Sequence, residues 1–304
     1  VLDFDFAFFN MREDNRKGLA TRKSFLDRLA PFLFPPRVEH LIDFGRMGLK
    51  GCNVMLPLGE GNWSILNNDN RDRMLEKTGA ILDEYEVPRM GVDRRLVGIF
   101  SEHEHSLPVV FGDRFISVLA AVLIEAMISR HDIKKLILTG NIPQMELLIN
   151  HISRYKIPIS VQNYQPSRYE IMTYRLLYEE GLAVSNSYLN PENWDKGDLI
   201  ISVDPDCRSL ALASPQAFYL RLDNDRSGMA PELEEVLQGS GLSPRLYTLA
   251  PILETCLLAQ AGKTDHDGEE ECFNRAGRRR EFHGEMIEAG HSLGLWEPFL
   301  DKGL

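Results

Sequence analysis

The sequence predicts an α/β chain in two domains, the second built on a doubly wound parallel sheet. Three observations carry this expectation. Short apolar runs of strand type alternate with longer stretches of helical period along most of the chain. The run Lys135–Thr139 is branched and apolar, and it leads through Gly140 into a stretch with Met145, Leu148, Ile149 and Ile152 at helical spacing. The length of 304 residues fits two domains better than one.

The first domain is expected over 1–112. Leu2–Phe9 begins with alternating apolar and polar residues, the pattern of a strand. Ser24–Ala30 is a short amphipathic helix that Pro31 should end, with Pro35 and Pro36 preventing its resumption. Val38–Phe44 and Cys52–Leu56 read as strands joined by a glycine-rich turn. Arg71–Tyr85 reads as a helix, and Pro88–Val92 and Leu107–Phe111 as further strands. The helix Arg114–Arg130 buries Phe115, Val118, Leu119, Val122 and Leu123 and connects the domains.

The second domain is expected over 113–250 and is of Rossmann type. After Lys135–Thr139, Gly140 provides the tight turn, Asn141 caps a helix and Pro143 sits in its first turn. The strand Ile157–Val161 and the helix Arg168–Glu180 follow, then the strands Asp198–Val203 and Ala217–Leu222. Pro231–Gln238 reads as a helix, Leu246–Leu249 as a short strand, and Pro251–Ala261 as an apolar helix. The remainder, 251–304, is helical, with a long charged helix over Glu269–Leu293 and Gly294 as its C-cap.

Composition narrows the function. Apolar residues make up 43% and charged residues 26%, enough for a sizeable core. A net charge of −11 argues against nucleic acid or an anionic membrane as partner. Cys52, Cys207, Cys256 and Cys272 form no CxxC pair, which favours reduced thiols in a cytoplasmic setting. No stretch is long and apolar enough to span a bilayer, and no signal-peptide pattern opens the chain at Val1. A homo-oligomer is compatible with this composition.

Candidate cofactor residues follow from the Rossmann-type pattern. Thr139, Gly140 and Asn141 either cradle a pyrophosphate at the helix N-terminus or form a turn kept for packing. A dinucleotide fingerprint has three glycines, and here only Gly140 remains, with Ile137 and Pro143 at the other two places. Gln162 and Asn163 stand where an acid would bind the ribose of NAD. With Arg168 beyond them, any dinucleotide is expected to be NADP, bound weakly or not at all; otherwise Arg168 is a solvated helix-start residue. Glu102-His103-Glu104-His105 has metal-ligand chemistry, but adjacent residues of one loop do not make a site, and Asp265-His266-Asp267 and Glu269-Glu270-Glu271 are no better.

Gly51-Cys52-Asn53-Val54-Met55-Leu56-Pro57 resembles the G-x-N-V-T-x-P substrate motif of shikimate dehydrogenases. The opening Asp5-Phe6-Ala7-Phe8, the Phe111-Gly112-Asp113 connector, the Gly140 turn and Ala250-Pro251-Ile252-Leu253-Glu254 together resemble the related predicted amino-acid dehydrogenase group that includes long-chain acyl-carrier-protein reductases. The resemblance runs through nearly the whole chain. It implies an NAD(P)-dependent oxidoreductase with a small-molecule substrate in an interdomain cleft, and C-terminal helices that return to the N-terminal domain. Asn53, Glu254 and Cys256 are then the candidate catalytic residues. Departures oppose catalysis. Gly59 stands where shikimate dehydrogenases carry an acid–base lysine, and Met55 replaces the threonine of the motif. Pro251 stands where the acyl reductases carry their nucleophilic cysteine, and Cys256 lies about one helical turn further on, either as a relocated thiol or as a buried apolar residue. The alternative function is a degenerate relative that binds a ligand or partner without redox chemistry.

Overall fold

A computed structural model describes residues 4–18, 22–87, 89–101, 108–203, 214–222, 231–261 and 275–300. The chain divides into two compact units, Val1–Gly112 with Pro231–Thr264 and Asp113–Ala230 with Asp265–Leu304.

The first unit holds β1 (Phe6–Arg12), β2 (Arg37–Phe44), β3 (Leu49–Gly59), β4 (Met90–Val92) and β5 (Val109–Val110) in the order β2-β3-β1-β4-β5. The pairs of β1 with β3, β1 with β4, and β4 with β5 are parallel; β2 joins antiparallel to β3. Six of the seven β1 residues are buried, the mark of a strand covered on both faces. One face carries Ala7, Phe9, Cys52, Val54, Met90 and Val92 against Leu26 of α1 (Lys23–Leu33) and Met74 and Leu82 of α3 (Asn68–Glu84). Between them runs the short α2 (Glu60–Ser64), and α4 (Val97–Ser101) follows β4.

The opposite face is covered by a helix of the second half of the chain. Phe8 pairs with Asn53 on one side and Gly91 on the other, so the three form one row. A side chain at Gly91 would lie 2.8 Å from the Pro251 carbonyl oxygen, which places the backbone of that helix directly over the row. Pro231–Gly239 packs on β2, and Ser240 donates to the Leu41 carbonyl at 3.1 Å.

The second unit opens with α5 (Asp113–Arg130). Its sheet consists of β6 (Lys135–Thr139), β7 (Ile159–Asn163), β8 (Val184–Tyr188), β9 (Asp198–Ser202) and β10 (Phe218–Arg221) in the order β10-β9-β6-β7-β8, with every pair parallel. The order reverses at β6, so the topological switch point lies between β6 and β9. This is a Rossmann-type sheet. α6 (Met145–Ile152) and α7 (Glu170–Glu180) are its first two crossovers. In chain order the later helices are α8 (Pro231–Gly239), α9 (Leu246–Ala261), α10 (Arg275–Ser292) and α11 (Glu297–Leu300).

The structure departs from the sequence expectations at several elements. α1 continues past Pro31 to Leu33. Proline removes the hydrogen bond to the carbonyl four residues back, and that carbonyl, Asp27 O, instead accepts from Asn70 Nδ2 at 2.7 Å. Leu246–Leu249 is the first turn of α9, not a strand: a four-residue apolar run has no period of its own, and Leu249 N bonds Arg245 O at 3.0 Å. α6 begins at Met145 after Gln144, not at Asn141, because Pro143 disfavours helical backbone at the residue before it. The polar edge strand β8 has no counterpart among the expected elements. The units also divide differently. α8 groups with the first sheet, and so does α9, which carries the returning stretch from Pro251, while α10 packs on α5 and α6 of the second unit.

Candidate functional site

The candidate nucleotide site is the βα turn at the switch point. β6 ends at Thr139, and Gly140 has φ +84°, a backbone that side chains rarely tolerate. Counting from this strand end, Gly140 takes the tight-turn place of the dinucleotide fingerprint. The place of close phosphate approach then falls on Ile142, and that of helix–strand packing on Met145, both buried. Ile137 is therefore not a fingerprint position: it lies inside β6 and packs with Trp194 and Ile200.

The turn is bonded internally. The Gly140 carbonyl accepts from Asn163 Nδ2 at 3.2 Å and from the Tyr169 hydroxyl at 3.1 Å; that hydroxyl also lies 3.4 Å from Asn141 Oδ1. The Asn163 Oδ1 accepts from the Gln165 N–H at 3.4 Å. Tyr169 was not among the sequence candidates; its only signal is an aromatic residue beside Arg168. Gln162 is buried, and its Oε1 accepts from Trp194 Nε1 at 2.8 Å, so it serves the core and not a ribose. Thr139 is buried in the same row as Gln162 and Ser202. Arg168 is exposed in the 3-10 turn that leads into α7.

Electrostatics at the helix start oppose a phosphate. Gln144, just before α6, has φ +53°, and Glu146 stands in the first turn, paired with Arg175. An acid there already uses the positive end of the helix dipole. The turn keeps the fold's glycine geometry, with an acid in the first turn of the helix that follows it.

The candidate catalytic residues lie in the first unit, inside it. Glu254 and Cys256 are both buried on α9, two residues apart and so on different sides of a helix that is covered all round. Burial, reinforced by the Asp5 charge, pushes the Cys256 thiol well above its ordinary range; burial alone pushes Cys52 up to about 12. Burial of this kind opposes the thiolate that a nucleophilic cysteine requires. Asn53 is fully buried in the row beneath α9, and its amide has no hydrogen-bond partner among the described residues. Alkylation at pH 8 is expected to leave Cys52 and Cys256 unmodified in the native chain and to label both after unfolding. Peptide mass mapping reads this, and native labelling of Cys256 would restore it as a candidate.

No group of three His, Cys, Asp or Glu side chains among the described residues could hold a metal ion. Glu102–His105, Asp265–Asp267 and Glu269–Glu271 lie outside the described residues. Among the described residues no helix is long and apolar enough to cross a membrane.

No family model matches the chain, and no curated protein does. Among solved structures, the chain is similar to a chorismate mutase/shikimate 5-dehydrogenase fusion protein from Clostridium acetobutylicum, at 12% identity and a TM-score of 0.36, over 94% of this chain and 98% of that one. It is also similar to L-tryptophan dehydrogenase from Nostoc punctiforme, at 11% identity and a TM-score of 0.39, over 98% of this chain and 88% of that one. At those values neither likeness bears on activity; the fold assignment rests on the strand order itself.

Proposed function

We propose that this chain is a diverged oxidoreductase-fold protein that binds a ligand or partner without hydride transfer. The observation that carries this reading is the state of the Gly140 turn. Two nearby donors, Asn163 Nδ2 and the Tyr169 hydroxyl, are spent on its carbonyl, and the place where a pyrophosphate would approach is filled by buried Ile142. The first unit adds no general acid or base at Gly59 and no accessible nucleophile on α9. The acyl-reductase reading fails on the same ground, since Pro251 has no thiol. A second reading, a working NADP-dependent oxidoreductase, is favoured by the exposed Arg168 just beyond the ribose end of β7.

Calorimetric titration separates the two. Pro143 removes one N–H donor from the turn, and one lost charge-assisted hydrogen bond, at about 1.5–3 kcal/mol, weakens a dinucleotide by roughly one to two orders of magnitude. The expected result is a millimolar dissociation constant for NADP, a weaker one for NAD, and loss of the difference in Arg168→Ala. Micromolar NAD binding that is unchanged in Arg168→Ala would overturn the reading of the turn. NADP reduction dependent on an added hydroxy acid or amino acid would establish the second reading.

A further inference from the structure

α7 is apolar on two sides. Leu176 points inward and is fully buried. Facing out are Ile171, Tyr174, Leu177 and Tyr178, with Ile171 and Tyr178 each 81% exposed. At about 100° per residue these four fall within roughly 120° of arc, a continuous stripe. Tyr174 and Tyr178 stack with ring centroids 6.4 Å apart. Exposed Tyr164 and Tyr188 extend the stripe at the N-terminal end of α7, where Tyr188 pairs in register with Asn163. More than half of the exposed large hydrophobic side chains among the described residues lie within 164–188. A patch of this kind marks an interaction surface. Beside it, β8 is the edge strand of the sheet and carries no proline, no lysine and no bulge to discourage pairing.

We propose that this face is the interface of a two-fold homodimer in which α7 packs antiparallel on α7 of a second copy. Area supports this occupant. Four tyrosines that each offer about 150–250 Å² when buried, with Ile171 and Leu177, approach the roughly 800 Å² per partner of a standard interface. The two-fold contact is self-complementary, as closed symmetry requires. An anionic membrane is disfavoured by the net charge of −11 and by Glu170, which falls within the arc of the stripe.

Sedimentation velocity of the full chain tests this. The expected result is a species of twice the monomer mass at micromolar concentration. Tyr178→Glu is expected to raise the dimer dissociation constant at least about a hundredfold, with unchanged far-ultraviolet circular dichroism. A wild-type chain that stays monomeric up to about 100 µM overturns the proposal, as does a dimer that Tyr178→Glu leaves intact. A monomer that co-sediments with phosphatidylserine-containing vesicles overturns it in favour of a membrane surface.

Discussion

Gly112→Ala is expected to unfold the first unit at room temperature or to leave it marginal, with a loss of about 4 kcal/mol. Two independent costs meet at this residue. Its φ is +82°, where a side chain costs about 1–2 kcal/mol. The added Cβ would also lie 2.6 Å from the Ala250 Cβ and 2.7 Å from the Pro251 nitrogen. Those atoms belong to α9, the helix that covers the Phe8–Asn53–Gly91 row, and backbone cannot move aside as the end of a flexible side chain can. Overpacking of this kind costs typically about 1–3 kcal/mol. Gly91→Ala isolates the second cost, since it meets the Pro251 carbonyl at 2.8 Å without a positive φ. Gly181→Ala isolates the first, at φ +68° with nothing within 4 Å. Urea unfolding followed by circular dichroism should rank them Gly112, then Gly91, then Gly181. Equal loss at Gly112 and Gly181 would show that α9 does not press on the sheet.

The same contact explains what the sequence conceals. Glycines at 91 and 112 are legible as turn or strand glycines, but nothing in the local pattern says that α9 lies over them. Buried strands such as Lys135–Thr139 and Asp198–Ser202 are legible because both faces need apolar residues, which leaves an unbroken apolar run. The edge strand β8 is not, because its sequence Val-Ser-Asn-Ser-Tyr faces solvent and carries no such run. Pro31 misleads because a remote residue, Asn70, takes up the carbonyl that the proline leaves free. At the candidate site the tight-turn glycine is readable from a strand followed by Gly140. The roles of Gln162 and Tyr169 are not, since both are set by partners 29 or more residues away. Cys256 shows the same limit from the other side: residue type admits a nucleophile, and the burial that weighs against it is not legible in the sequence.

Acidification from pH 7 to below 4 is expected to loosen α10 from α5 and α6 at a cost of about 3 kcal/mol, carried by His283. This imidazole is buried on α10. Its Nε2 lies 3.3 Å from Ser117 Oγ on α5, and its ring centroid is 5.1 Å from that of His151 on α6. Its Nδ1 has no partner among the described residues. Beyond His151 stands Glu125, 2.7 Å from His151 Nε2 and paired with Arg154. Burial raises the Glu125 carboxyl, but hydrogen bonds from His151 and Tyr155 and the Arg154 charge outweigh this and hold it below its ordinary range. For His283, burial first and the neighbouring His151 second depress the ring to about 4 from 6.5, against a smaller opposing pull from Glu125. The unfolded chain therefore takes up this proton at a higher pH than the folded chain. Stability from this group is complete above pH 6.5, falls as the pH drops from 6.5 to 4, and levels off below. The span of about 2.5 units at 1.36 kcal/mol each gives the stated cost. Trp296 reports the event, because it stacks on Phe115 of α5 at 5.8 Å and donates from Nε1 to the Ile287 carbonyl of α10 at 2.9 Å. The fluorescence-monitored urea midpoint should decline between pH 6.5 and 4 more steeply in the wild-type chain than in His283→Gln, which lacks this one contribution and keeps every other titrating group. Equal slopes in the two proteins would remove His283 as the group responsible.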